Sequence, residues 1–213
     1  MFITFEANEG AGKSTQARKL ADALRAQGHD VVQTREPGGS PGAEEIRALL
    51  VTGEADRWSA DVELLLFTAA RRDHIERTLR PALERGAIVI CDRYVGSTYA
   101  LQGAGGMDMN KMRRLFDEFC GLTPDLTIFL DIDPDVSLAR GMDRLSSQAS
   151  AEGRFETKGS AYHRRVSELF SQQCDENPEW VRVDADRGID EIHAEILRIV
   201  GSKTEMHALK KSA

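Results

Sequence analysis

Residues 5–15, FEANEGAGKST, set Gly10 and Gly12 beside Lys13, Ser14 and Thr15 in the order a phosphate-binding loop requires. Glycines there let successive backbone N–H groups face an anion, a lysine reaches bridging phosphate oxygens, and the first hydroxyl suits a magnesium ligand. The pattern G-x-x-x-x-G-K-[ST] wants glycine where this chain has Ala7, so the loop is Ala7, Asn8, Glu9, Gly10, Ala11, Gly12, Lys13, Ser14 and Thr15 with one departure at its start. Gly10 and Gly12, where backbone amides must close on the anion, are both kept. ATP is the expected occupant; an ordinary strand-to-helix turn that happens to contain GKS is the alternative. Further on, the run AIVIC ends in Asp92 and Arg93. A carboxylate at the carboxyl edge of a strand can hold magnesium-bound water beside the phosphates. Arg35, in TREPGG, ends another strand-like run and belongs to the same rim. Two rim arginines near a loop that already holds one anion imply a second anion, a phosphorylated acceptor. Phe67 and Arg71 stand four residues apart in a helical pattern and share a face, where a ring and a guanidinium could stack on a base and bond its edge. The same LLLF run also reads as a core stripe, and periodicity leaves both readings open.

These residues need a scaffold that brings several strand ends together, and the chain alternates strand and helix signals as a parallel sheet wrapped by helices does. FITFE (2–6), DVVQT (30–34), AIVIC (87–91), LTIFLD (126–131) and WVRVD (180–184) read as strands. Helices are expected at about 14–27, closed by Gly28, in EEIRALL, in one long run at about 59–85 stopped by Gly86, after Pro134, at about 158–174 and at the end. SSQASAEG (146–153) is small and polar, and KTEMHALKKSA reads as a frayed tail. The expectation is one α/β domain over 1–201, with 202–213 as a flexible tail.

The 213 residues are 41% apolar, enough for one well-cored domain. A formal charge of −7 excludes a protein that holds a nucleic-acid polymer by neutralising its backbone, so the anionic ligands should be small. Cys91, Cys120 and Cys174 are odd in number and too far apart for a zinc knuckle, which suits reduced thiols in a reducing compartment. MFITFEANEG has no basic region, its apolar run breaks at Glu6, and no stretch approaches a membrane span. A cytoplasmic protein is expected.

Read together in this order, FEANEGAGKST, TREPGG, LLLFTAAR, DRYVGST with LQG, PDLTIFLD and GRFE resemble the thymidylate kinase family of bacterial nucleoside monophosphate kinases, from Met1 to about Val200. TREPGG and the DRY segment carry the specificity. The G-K-G-T loop ending of adenylate kinases and the N-K-x-D motif of GTPases are absent. The resemblance implies a three-layer P-loop kinase fold with a five-stranded parallel sheet, a mobile lid at about 144–157 and a homodimer. It implies Mg2+ with ATP as co-substrate and dTMP as acceptor. Glu9 would meet the deoxyribose 3′-hydroxyl; Arg35 and Arg93 would take the acceptor phosphate. Phe67 would stack on thymine, Arg71 would bond a thymine carbonyl, and Ser97, Thr98 and Gln102 would complete the pocket. Lys13, Arg93 and the lid's Arg154 would be catalytic, Arg140 and Arg144 would assist at ATP, and Ser14 and Asp92 would serve the metal. Ala7, Asn8 and Leu101 depart from the family pattern; Leu101 stands where an aromatic residue is common beside the sugar. A kinase for another pyrimidine nucleotide or nucleoside is the same-fold alternative, and a nucleotide-dependent regulatory protein with a weakened loop is the other.

Overall fold

A computed structural model describes residues 1–54, 56–147 and 159–211, with side chains of 143–147 and 205–211 outside that description. Five strands, β1 (Phe2–Glu6), β2 (Val31–Arg35), β3 (Ile88–Asp92), β4 (Leu126–Asp131) and β5 (Trp180–Asp184), form one sheet in the order β2-β3-β1-β4-β5. Every pairing is parallel. All five residues of β1 are buried, as a central strand covered by helices on both faces must be. Alternation sends Ile3 and Phe5 to one core, with Leu20 and Leu24 of α1 (Lys13–Ala26) and Ile192 and Ile196 of the last helix. Phe2 goes to the opposite core with Val89, Tyr94 and Phe116.

The register carries the chemistry. Phe5 and Arg35 both lie opposite Asp92, so β1, β3 and β2 end level with one another. Because the chain leaves β1 toward β2 on one side and β4 flanks it on the other, the crevice at these strand ends is a topological switch point. The remaining helices are α2 (Pro41–Val51), α3 (Ala60–His74), α4 (Arg80–Glu84), α5 (Val95–Ala104), α6 (Met109–Phe119), α7 (Pro134–Ser147), α8 (Ser160–Glu176) and α9 (Ile189–Lys211).

One expectation is corrected. The single helix expected at about 59–85 is α3 and α4 joined by a π-helical turn, Ile75–Leu79. Pro81 lacks an N–H and its ring would meet the carbonyl four residues back, so the ladder widens ahead of it. The segment after Gly201 continues α9 as helix to Lys211. Its first residues are anchored: Lys203 pairs with Glu179 at 2.8 Å, and Thr204 donates to the Val200 carbonyl and reaches the Met1 sulfur at 3.7 Å. The three cysteines are free thiols, with Cys91 and Cys120 buried and Cys174 partly so.

Candidate active site

The phosphate loop leaves β1 and opens α1, with Gly10 at φ 78° and Gly12 at φ 91°, the left-handed conformation that amide convergence needs. Ala7 is fully buried in the apolar core and does not have a positive φ, so its methyl packs without backbone strain. The carbonyl of Asn8 accepts the Lys13 ammonium at 2.8 Å. Lys13 is only 5% exposed; burial foremost, and then the nearby Arg93 charge, lowers its pKa to about 8, while Glu9, Asp92 and Glu6 oppose the shift. Ser14 donates to the Asp92 Oδ2, and the Asp92 Oδ1 is buried with no partner among the described residues. A hydroxyl against a carboxylate with a spare buried oxygen is an all-oxygen donor set that fits a hard divalent cation.

Arg93 has φ 71°, the one positive value among the described non-glycine residues. Such a conformation persists only where the surroundings impose it. Its N–H donates to the Phe5 carbonyl at 2.9 Å, and the guanidinium is held by the Ala7 carbonyl at 3.0 Å, by Ser97 Oγ at 2.9 Å and by an ion pair with Glu9. Thus Glu9, Lys13, Ser14, Asp92, Arg93 and Ser97 converge at one strand-end cluster. Arg35 stands at the same level on β2, exposed, and pairs with Glu44 at 3.2 Å.

A second cluster begins at the next residue of α5, Thr98. Thr98 accepts from Arg71, at 3.0 Å, and Arg71 also donates to Glu36 at 2.7 Å. Phe67, on α3, is buried at 8% exposure. Gln102 donates to Glu63 at 3.0 Å while its own carbonyl oxygen is buried without a partner among the described residues. Leu101 packs against the cluster of Ala100, Phe129 and Phe170, and its carbonyl accepts the Tyr162 hydroxyl at 3.0 Å.

On the other side of the loop, α7 presses directly on it. Ser137 donates to the Glu9 carbonyl, and Arg140 reaches Asp186 of the β5–α9 loop at 3.1 Å. Arg144 lies on α7 with its side chain outside the description, and Arg154, with most of the expected lid, falls outside the described residues.

Sequence reasoning overlooked several polar residues in this site, including Glu6, Glu36, Glu63 and His74. For Glu6 the signal was present as a charge at the end of an otherwise apolar strand. Its carboxylate accepts the Tyr94 N–H at 2.9 Å and the Ser97 hydroxyl at 2.5 Å, and so braces the turn that carries Arg93. Burial raises its pKa to about 7, against the lowering effects of Ser97, Arg93 and the Tyr94 N–H. A carboxyl group that keeps its proton longer when folded loses stability as pH rises from its unfolded value through its folded value. The wild type should therefore lose about 3 kcal/mol relative to Glu6→Gln between about pH 4.5 and pH 8, read as the difference in unfolding free energy across that range. A pH-independent difference would mean that Glu6 ionises normally in the fold.

The family model described as thymidylate kinase matches residues 5–196. A thymidylate kinase of Ruegeria pomeroyi is 49% identical over 205 residues, covering 94% of both chains. One from Caulobacter vibrioides is 50% identical over 202 residues, covering 93% of this chain and 95% of the relative. The crystal structure of thymidylate kinase from Ehrlichia chaffeensis superimposes with a TM-score of 0.75 at 30% identity, covering 94% of this chain and 98% of that one. The match begins within the strand that feeds the phosphate loop, ends in α9 and takes in both clusters, and on that extent the chain belongs to the thymidylate kinase family.

Proposed function

We infer that the chain transfers the γ-phosphoryl group of ATP to dTMP, giving dTDP and ADP, and that the two clusters along α5 divide the work. The observation that carries this reading is the continuity of the phosphate loop with Arg93, Ser97 and Thr98, which joins a cationic end to a buried arginine suited to a base edge. A phosphate oxygen of the acceptor is already a nucleophile, so the reaction needs no general base. The obstacle is the approach of two polyanions. Lys13 and the N-terminus of α1 hold the donor phosphates, and Arg93 with Arg35 takes the acceptor phosphate. Arg93 is suited to this because its guanidinium is fixed before any ligand arrives. Ser14 and Asp92 would hold Mg2+, which supplies charge neutralisation between the phosphates when bound.

Phe67 stacks on thymine, Arg71 bonds a carbonyl of the base, Thr98 and Gln102 complete the pocket, and Glu9 meets the 3′-hydroxyl in this assignment, which rests on the family pattern. Arg140, Arg144 and Arg154 are assigned to positive charge at ATP on the same ground, with closure of the lid excluding water. A second copy of the chain as partner and a cytoplasmic location are likewise inferred from the family; no described helix is long and apolar enough to cross a membrane. A regulatory protein with a weakened loop is disfavoured by Ala7, since alanine costs no strain at a position without positive φ.

Coupled ADP release with dTMP, dUMP, CMP and thymidine side by side tests the function. The expected result is turnover with dTMP exceeding each other acceptor. Preference for CMP or thymidine would reassign the substrate, and ATP binding without turnover of any acceptor would favour the regulatory reading.

A further inference from the structure

We propose that Glu36 and His74 are positioning residues that hold the Arg71 guanidinium in the orientation in which it meets the base. The inference rests on the assignment of Arg71 as base reader. Arg71 is 4% exposed and His74 fully buried. Glu36 uses one carboxylate oxygen to accept the Arg71 Nε at 2.7 Å and the other to take His74 Nδ1 at 3.0 Å. A carboxylate only accepts, so Nδ1 carries the donated proton, and Nε2 is hydrogen-bonded to the Thr34 hydroxyl at 2.8 Å. Thr98 takes a second edge of the guanidinium at 3.0 Å, and the Tyr94 ring lies 5.1 Å beneath it. A guanidinium is a rigid plane, so two bonds to acceptors on different elements fix both its tilt and its rotation. NH1 is the nitrogen with no protein partner among the described residues.

The TREPGG segment is built around this chain of contacts. Strand alternation sends Thr34 and Glu36 to the side facing α3 and sends Arg35 the other way, so one hexapeptide serves both the base end and the phosphate rim. Gly39 permits the outer link: a Cβ there would lie 2.3 Å from the Thr34 hydroxyl and 2.5 Å from His74 Nε2. Its carbonyl also accepts the Thr78 hydroxyl, at 2.7 Å, which ties the segment to the π-helical turn. A charged pair buried for stability alone would need no third and fourth member. The extension through His74 to Thr34 fixes the second carboxylate oxygen, and with it the direction in which Glu36 pulls on Nε. A pre-oriented arginine loses less freedom on meeting a ligand, so the expected benefit is in acceptor affinity and selectivity rather than in the transfer step.

The test compares steady-state kinetics of the full-length protein with those of Glu36→Gln, His74→Phe, His74→Asn and Arg71→Lys, with thermal unfolding run in parallel. Glu36→Gln keeps the shape but turns an amide N–H toward one of two donors. Its KM for dTMP should rise roughly ten- to a hundredfold, with kcat at saturation and KM for ATP within about twofold. Its preference for dTMP over dCMP, which has an amino group in place of a carbonyl, should fall in step. His74→Phe removes the donor and should raise the dTMP KM too, whereas His74→Asn, whose amide nitrogen takes the place of Nδ1, should recover most of the loss. An unchanged dTMP KM in Glu36→Gln, equal increases for both nucleotides, or His74→Asn no better than His74→Phe would overturn the proposal. If Glu36→Gln does not fold, the two His74 variants decide the matter. Arg71→Lys separates the layers: an unchanged dTMP KM there defeats the base-reader assignment itself, while a loss there beside a normal Glu36→Gln defeats only the positioning role.

Discussion

Replacing Lys13 with methionine should lower kcat by roughly a hundred- to a thousandfold while the protein stays folded, the scale of removing one preorganised charge from a transfer site. The ammonium is 5% exposed and bonded to the Asn8 carbonyl at 2.8 Å, so it is held where solvent screens it little. Its lowered pKa of about 8, caused first by burial, is the signature of a charge kept out of water at some cost to the free protein. On the proposed role, that cost is offset by an interaction that grows as charge moves onto the transferring oxygens. Methionine matches the length and the apolar stem of lysine, so it fills the same space. The orphaned Asn8 carbonyl would cost about 1–3 kcal/mol, offset in part because a buried charge is no longer desolvated. Thermal unfolding should therefore move little, and the loss should fall on kcat more than on either KM. A variant with near-normal kcat would remove Lys13 from the mechanism. One with a collapsed melting temperature would show that the lysine acts through the fold.

The parts of the site that were legible in the sequence are those whose logic is local. FEANEGAGKST announces itself because strand, glycines, lysine and helix follow within a dozen residues, and Asp92 and Arg93 because they end a strand run. What the sequence could not show is pairing at long range. Glu36 lies in a segment singled out for its arginine, yet its partners Arg71 and His74 are 35 and 38 residues away on another element. No periodicity links them. Phe67 stays ambiguous for the same reason: a core stripe and a pocket wall have one helical spacing. The left-handed Arg93 was invisible because nothing in DRY marks it; the Phe5 carbonyl and the Glu6 carboxylate, both on β1, impose it from across the sheet. The π-helical turn before Pro81 was missed because apolar spacing continues through it, while the proline alters only the hydrogen-bond ladder.

Gly10→Ala should be the most damaging single methyl in the loop, and Gly12→Ala is its control. Both glycines have positive φ, so alanine at either costs about 1–2 kcal/mol in backbone conformation alone. Their surroundings differ. A Cβ on Gly12 meets nothing within 4 Å, whereas on Gly10 it would lie 2.3 Å from the Ser137 carbonyl oxygen and 2.8 Å from the Gly141 nitrogen. Both are backbone atoms of α7, which no rotamer change can move aside. The helix would have to withdraw, breaking the Ser137 hydrogen bond to the Glu9 carbonyl and freeing the loop from the element that runs on toward the expected lid. Overpacking of this kind adds about 1–3 kcal/mol, so Gly10→Ala should lose on the order of 10 °C in melting temperature and Gly12→Ala about half of that or less. Activity should separate them in the opposite sense per degree lost. On the proposed reading the loop amides face the phosphates beside Gly12, so its methyl should weaken ATP binding out of proportion to its effect on stability. Melting curves and nucleotide titrations on the two variants decide it. Equal losses of stability would show that α7 yields freely to the loop, and Gly12→Ala with normal ATP affinity would place the phosphates elsewhere.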